Sequence, residues 1–329
     1  MKKPILIASA SFDKHAYGPV AEILDEHNYP VIVYKTDQLL STDDRYSLNI
    51  SNDAELTINY NGQSIMPEDL TSAWFRKIAN FSIQDRDTQL AKQLYMNNEV
   101  RALHDTIWNL YPENIWLSSP QKMAAADRKL GQLLIAKEIG FNIPRTIVGS
   151  DWDYITEELL PSEKARMIIK MMRGVISDGN DIKALYATIV NREKIAGIVQ
   201  HTSPFPGLYQ PYITKAREWR ITVVGDEVFP VAIYTDNTAK DDWRKHQESG
   251  SVTFKSERSP TGIDEMCVEY LGRMGLGYGA FDLIEQPDGR VTFLECNPNG
   301  QYGWLEQQLE LPISEALAKE LISIGSRHF

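Results

Sequence analysis

At 329 residues, with 43% hydrophobic, 24% charged and 10% aromatic side chains, the chain has the composition of a folded globular protein. It is too long for one small core, so two or three domains in close contact are expected. A net charge of −11 leaves no basic footprint for nucleic acid, no stretch is long and apolar enough to span a membrane, Pro4 cuts short the signal-peptide-like start Met1-Lys2-Lys3, and two cysteines without paired spacing offer neither a disulfide framework nor a zinc site, so a reducing cytoplasm fits.

Residues 4 to 9 read as a buried strand, 17 to 27 as a helix and 30 to 35 as a second strand, a Rossmann-like opening. Strand-like runs from Leu48 to Asn59, with Asn61-Gly62 as the turn, and from Ser72 to Arg76 precede a helical pattern over about 87 to 110 that Tyr111-Pro112-Glu113-Asn114 breaks. Ser119-Pro120 supplies a cap with proline at the first helical position, and Leu130, Leu133 and Leu134 carry that helix to Gly140 and Pro144. Ala165 to Met172 and Asp181 to Val190 read as two strands around the glycine-containing loop 173 to 180, a small lid. Strands follow at 208 to 213, 217 to 224 and 227 to 234, then a polar segment from 236 to 258, a helix at about 261 to 274, an acidic hairpin, and a final helix from Ser314 to Ser323. The expected units are 1–118, 119–207 and 208–329.

The hairpin is the most informative stretch. Two β-rich runs flank Asp288-Gly289, which favours a two-residue type I′ turn, so Pro287 is expected to face Arg290 and Asp282 to sit opposite Glu295. In that register Asn297 shares their face opposite Ala280, while Phe281, Leu283, Leu294 and Cys296 form the apolar face. Like charges placed opposite one another destabilise a strand pair, which points to a cation between them, and hard oxygen ligands point to magnesium. A solvated hairpin face would carry unrelated acids, but the ending Asn297-Pro298-Asn299-Gly300 favours a site.

Other residues are candidates with plain alternatives. Gly275-Leu276-Gly277-Tyr278-Gly279-Ala280 matches a dinucleotide fingerprint, yet a helix precedes it and a strand follows, the reverse of what that motif needs. Lys170, ending an apolar run beside a glycine-containing loop, suits a phosphate ligand or an edge-strand gatekeeper. Lys129 reads as a solvated basic residue of the 120–140 helix. Glu218, Arg220 and Thr222 share one polar strand face, as a salt-bridge ladder also would. Arg244 follows two acids in a polar segment and could clamp a phosphate or carboxylate. In Trp74-Phe75-Arg76-Lys77, core aromatics with a solvated cationic tip are the default.

Taken in order, these pieces resemble the ATP-grasp ligases: a Rossmann-like pre-ATP-grasp domain, a lysine-bearing linking helix, a small lid with a second lysine, a hinge strand, a Glu-x-Arg strand and an α+β ATP/metal domain with its Asp, Glu and Asn. The segment Phe293-Leu-Glu-Cys-Asn-Pro-Asn-Gly-Gln-Tyr-Gly-Trp304 is similar to the microviridin-type graspetide synthetases, macrocyclases of ribosomal peptides. The resemblance implies ATP and Mg2+ as cofactors, with Lys129 and Lys170 on the phosphates, backbone groups around Gln210, Tyr212 and Ile213 on adenine, and Glu218 on ribose. It also implies Asp282, Glu295 and Asn297 on the metal, and Arg220 with Arg244 at the γ-phosphate and the acyl phosphate. Pro211 cannot donate, so an adenine donor must come from a neighbour. The implied partner is a precursor peptide with leader and core, worked on by a cytoplasmic homo-oligomer, a dimer. One departure is Arg76-Lys77, where related macrocyclases carry two arginines; lysine does not replace arginine at a bidentate site. Two rivals are a ligase adding amino acids to a peptide or small acid, and a nucleotide-responsive peptide-binding module.

Overall fold

The computed structural model describes residues 2–38, 45–50, 57–77, 90–172, 175–178, 181–184, 187–199, 207–236 and 251–326. Every residue of the strand Ile5–Ser9 is buried, as befits a parallel strand covered on both faces, and it lies between Val31–Lys35 and Ser72–Phe75 in a three-stranded parallel sheet. The helix Lys14–Glu26 makes the crossover and begins earlier than its apolar pattern suggests. The run expected as one strand from Leu48 to Asn59 is two, since Tyr46–Asn49 pairs antiparallel with Thr57–Tyr60. Asn61 and Gly62, at φ +50° and +79°, form the expected tight turn.

The helix expected over 120–140 is also two, Pro120–Ala126 and Lys129–Ile139, because Arg128 is extended and restarts it. Met167–Lys170 and Thr188–Val190 belong to a four-stranded antiparallel sheet in the order Thr188–Val190, Met167–Lys170, Gly207–Pro211, Ile147–Gly149. The strand expected as the hinge, Gly207–Pro211, therefore hydrogen-bonds within the sheet that holds Met167–Lys170. The segment expected as a loop contains a strand, since Val175–Asp178 pairs with Asp181–Ala184 in a hairpin; Val175 and Ile176 are β-formers.

The C-terminal part is a five-stranded antiparallel sheet, ordered Val252–Ser256, Glu227–Thr235, Arg217–Val224, Tyr278–Glu285, Val291–Asn297. The first of these emerges from the segment read only as polar. Its apolar face packs Trp219, Ile221, Phe281, Leu283 and Phe293 against Tyr270 and Leu271 of the helix Ile263–Met274 and Leu133 and Ala136 of Lys129–Ile139. The false fingerprint is explained by packing: a Cβ at Gly277 would come 2.4 Å from the Leu117 carbonyl oxygen, and one at Gly279 2.8 Å from Cys296 Sγ. Helices Gly303–Leu309 and Ile313–Ser326 close the fold.

Candidate active site

The hairpin reaches the expected pairing by an unexpected route. Gln286 N–H donates to Arg290 O and Gly289 N–H to Gln286 O, each at 2.9 Å, so the loop is the three residues Pro287, Asp288 and Gly289, with Gly289 left-handed at φ +82°. Leu283 then faces Phe293, Ile284 faces Thr292 and Glu285 faces Val291, one residue out of the two-residue register. An irregularity between Asp282 and Leu283, which leaves Leu294 as the extra residue, restores Asp282 opposite Glu295 and Ala280 opposite Asn297. The two departures cancel at the acids. They do not cancel for Leu294, which lines the cleft instead of joining the apolar face, while Phe293 takes its place in the core.

Across the sheet, Arg220 faces Asp282 and Asp282 faces Glu295, one row over three strands. Arg220 Nη1 donates to Asp282 Oδ1 at 2.8 Å, Lys129 Nζ to Glu295 Oε2 at 2.7 Å, and Asn297 Nδ2 to Asp282 Oδ2 at 3.2 Å. The two like charges are thus flanked by two cations, which offsets their repulsion. The donor set fits magnesium: two carboxylates and an amide oxygen, all hard, with phosphates and water to complete the shell. Among the described residues no group of three or more His, Cys, Asp or Glu side chains converges, so a site with three protein ligands here would have to include the amide.

Lys129 is not a solvated residue of a continuous helix. The restart at Arg128 puts it on the first turn of Lys129–Ile139, one turn before Gln132, which sequence reasoning missed. Gln132 is buried; its Oε1 accepts from Cys296 N–H at 2.9 Å and its Nε2 donates to Cys296 O at 2.9 Å, gripping the edge strand between Glu295 and Asn297. A glutamine at helical spacing from a lysine carries no signal of this in one sequence. Lys170 lies on an interior strand, so the gatekeeper reading does not hold. Glu218 pairs with Lys215, also missed, and both side chains are largely buried. In the hinge, the Gln210 side chain donates to Thr146 and Tyr212 N–H donates to Arg166 O at 2.8 Å, leaving Ile213 N–H without a bond among the described residues.

These groups face one cleft of about 1090 Å³. Lys129, Lys170, Gln210, Tyr212, Ile213, Glu218, Arg220, Asp282, Glu295 and Asn297 all line it, as does Lys77; Arg244 lies outside the described residues. Arg76 is a correction: its guanidinium is not a solvated tip but fully buried against Asp13. Its neighbours Trp74 and Tyr302 shield it, and burial of the Tyr302 hydroxyl pushes that group well above its ordinary range.

No protein-family model and no curated protein matches the chain. Solved structures do match over nearly its whole length. A RiPP-associated ATP-grasp ligase from Chryseobacterium gregarium, in complex with ADP and a leader and core peptide, superposes with a TM-score of 0.83 at 26% identity, covering 98% of this chain and 97% of that one. The macrocyclase MdnC bound with precursor peptide MdnA, from Microcystis aeruginosa MRC, gives 0.81 at 24% identity over 97% and 99%, and the macrocyclase MdnB from the same organism 0.76 at 24% over 97% and 99%. In its mixed α/β architecture and along nearly its whole length, the chain has the fold of the ATP-grasp ligases and is structurally similar to RiPP-associated and macrocyclase members of that family.

Proposed function

We propose that the chain uses ATP and Mg2+ to cross-link Asp or Glu side chains of a ribosomal precursor peptide to its Ser, Thr or Lys side chains, forming ω-esters or ω-amides, as a cytoplasmic homo-oligomer built of units 1–118, 119–207 and 208–329. The observation that carries this reading is the single cleft in which two lysines, the hinge residues Gln210, Tyr212 and Ile213, the acid Glu218 and the row Arg220–Asp282–Glu295 converge. A ligase of this architecture, matched at 26% identity over 98% of the chain, is in complex with ADP and a leader and core peptide, which supports a peptide substrate.

A side-chain carboxylate is a poor electrophile, and attack on the γ-phosphate of ATP turns it into an acyl phosphate with a good leaving group. Both partners are anionic. Arg220, with Arg244, offsets that repulsion, while Lys129 and Lys170 hold the transferring phosphates. Ile213 N–H is the adenine donor we assign, and Glu218, fixed by Lys215, takes the ribose. Magnesium on Asp282, Glu295 and Asn297 would supply charge neutralisation of the β- and γ-phosphates. Lys170, Met171 and Ala187 of the expected lid line the cleft, and a lid closed over bound ATP would exclude the water that hydrolyses an acyl phosphate. A hydroxyl or amine on the same peptide then attacks at high effective concentration.

Mass spectrometry decides between this and amino-acid addition. Incubated with ATP, magnesium and the peptide encoded by a neighbouring short reading frame, the protein should yield a product lighter by one water per ring. A heavier product that depends on added free amino acid would overturn the macrocyclase reading and leave the ATP-grasp site standing.

A further inference from the structure

We propose that Arg76 is a positioning residue for the reaction: from the N-terminal sheet it grips the loop Asn299–Gln301 and so holds Arg220, Asp282 and Asn297 in register. The idea rests on the site assignment above for its functional meaning, but its geometry stands alone. Arg76 directly follows the strand Ser72–Phe75, and its backbone N–H donates to Ala8 O at 2.8 Å, which anchors it to the parallel sheet. The guanidinium is 1% exposed and the Asp13 side chain is fully buried.

The way the five donors are spent is informative. An arginine that only neutralised a buried aspartate would present two parallel N–H groups to it. Here Nε alone donates to Asp13 Oδ2, at 2.8 Å, and both terminal nitrogens turn to the loop: Nη1 donates to Asn299 Oδ1 at 2.9 Å and Gly300 O at 3.1 Å, and Nη2 to Gln301 Oε1 at 2.8 Å. Gln301 Nε2 in turn donates to Asp13 Oδ1 at 3.4 Å, so aspartate, arginine and loop close a ring of bonds.

The loop passes this constraint to the acids. Gly300 O also accepts from Tyr278 OH at 2.7 Å, and a Cβ at Gly300 would lie 2.5 Å from Ala280 Cβ and 2.8 Å from Arg220 Nη2, so the loop backbone is seated directly on the second guanidinium. Arg220 Nη2 donates to Gln301 O at 3.2 Å while its Nη1 holds Asp282. Asn297, at the start of the same turn, receives the Gly300 N–H at its carbonyl oxygen at 3.2 Å. A shift of the loop therefore moves the γ-phosphate cation and the amide ligand together. A lysine at position 76 could keep the charge beside Asp13 but has no planar fork to reach three loop acceptors.

Hydrogen exchange on the protein without nucleotide or metal tests this, using Arg76→Lys and, in case that variant does not fold, the double variant Asn299→Ala with Gln301→Ala, which keeps the Arg76–Asp13 pair. Exchange of the amides over 297–302 should rise about tenfold or more in each, while peptides covering Ile5–Ser9 and Gly207–Pro211 keep their protection. Titration with Mn2+ and ADP should show metal affinity weakened about tenfold, the loss typical of a support one bond removed from a ligand, with metal-free ADP affinity within about twofold. Unchanged exchange at 297–302, or a rise spread evenly over the whole chain, overturns the proposal and leaves Arg76 a general stabiliser of the fold. If the parent binds no ADP, the nucleotide reading fails and the exchange result still decides whether Arg76 positions the loop.

Discussion

Glu295 and Asp282 face one another, yet their surroundings differ, and the difference says which to mutate. The Arg220–Asp282 pair is nearly dry, at 7% and 8% exposure, and removing one partner of such a pair costs about 3–5 kcal/mol, so loss of activity there is mixed with loss of fold. Lys129 and Glu295 are about a quarter exposed, and a pair of that kind contributes no more than about 1 kcal/mol. Glu295→Gln also removes a like charge from Asp282. We predict that this variant melts within a few degrees of the parent while magnesium-dependent ATP turnover falls by about 10²-fold or more. A coupled assay of ADP release, run alongside calorimetry, checks it; a variant with normal turnover removes Glu295 from the metal set.

The register of the acidic hairpin was legible in the sequence, but not for the reason the turn rule supplies. Asp288-Gly289 marks the reversal, whereas whether the loop has two residues or three, and whether a bulge at Leu294 compensates, depends on how Phe293 and Leu294 compete for the core. That contest is tertiary and leaves no mark in period-two alternation. Lys129 was misread for a related reason: an apolar pattern runs through the break at Arg128, where the extended backbone restarts the helix. The roles of Arg76 and Gln132 were invisible because the partners that tie them to the site, the loop Asn299–Gln301 and Cys296, lie more than 160 positions away in the chain. Helix and strand meet through Gln132, which gives an element-scale prediction. Gln132→Leu leaves the Cys296 N–H and C=O buried without that partner, at a cost of about 1–3 kcal/mol, and frees Glu295 and Asn297 to move. Stability should drop by that amount in urea, and turnover per folded molecule should drop as well. A loss of stability with turnover intact would make Gln132 a packing residue only.

At the scale of the whole molecule, the two ends of the chain share a core. Ile5, Ile7, Val20 and Trp74 of the N-terminal part pack with Ile313, Leu317 and Leu321 of the last helix and with Val224 and Tyr278 of the five-stranded sheet, while the four-stranded sheet has its own smaller cluster around Ile155, Met167 and Tyr209. Destabilising the N-terminal sheet should therefore pull on the five-stranded sheet. His104 offers a way to do so with acid. On the helix Leu90–Asn109 it is 1% exposed, stacked on Trp108 at 5.8 Å and edge-on to Tyr34 at 5.6 Å, and neither ring nitrogen has a hydrogen-bond partner among the described residues. Burial of the charged form lowers its pKa from the ordinary 6.5 to about 4. As pH falls, the unfolded chain takes up this proton first, so stability is intact above about pH 6.5 and is lost progressively toward pH 4, by roughly 3 kcal/mol for a shift of that size. His104→Phe keeps the aromatic packing and removes the titration. We predict that calorimetric melting of the parent falls more steeply than that of the variant between pH 6.5 and 4.5, with the main transition moving as one because the core is shared. Parallel pH profiles for the two proteins would mean that His104 finds a proton acceptor or water in solution, and the acid sensitivity of the chain would then have to come from its paired carboxylates.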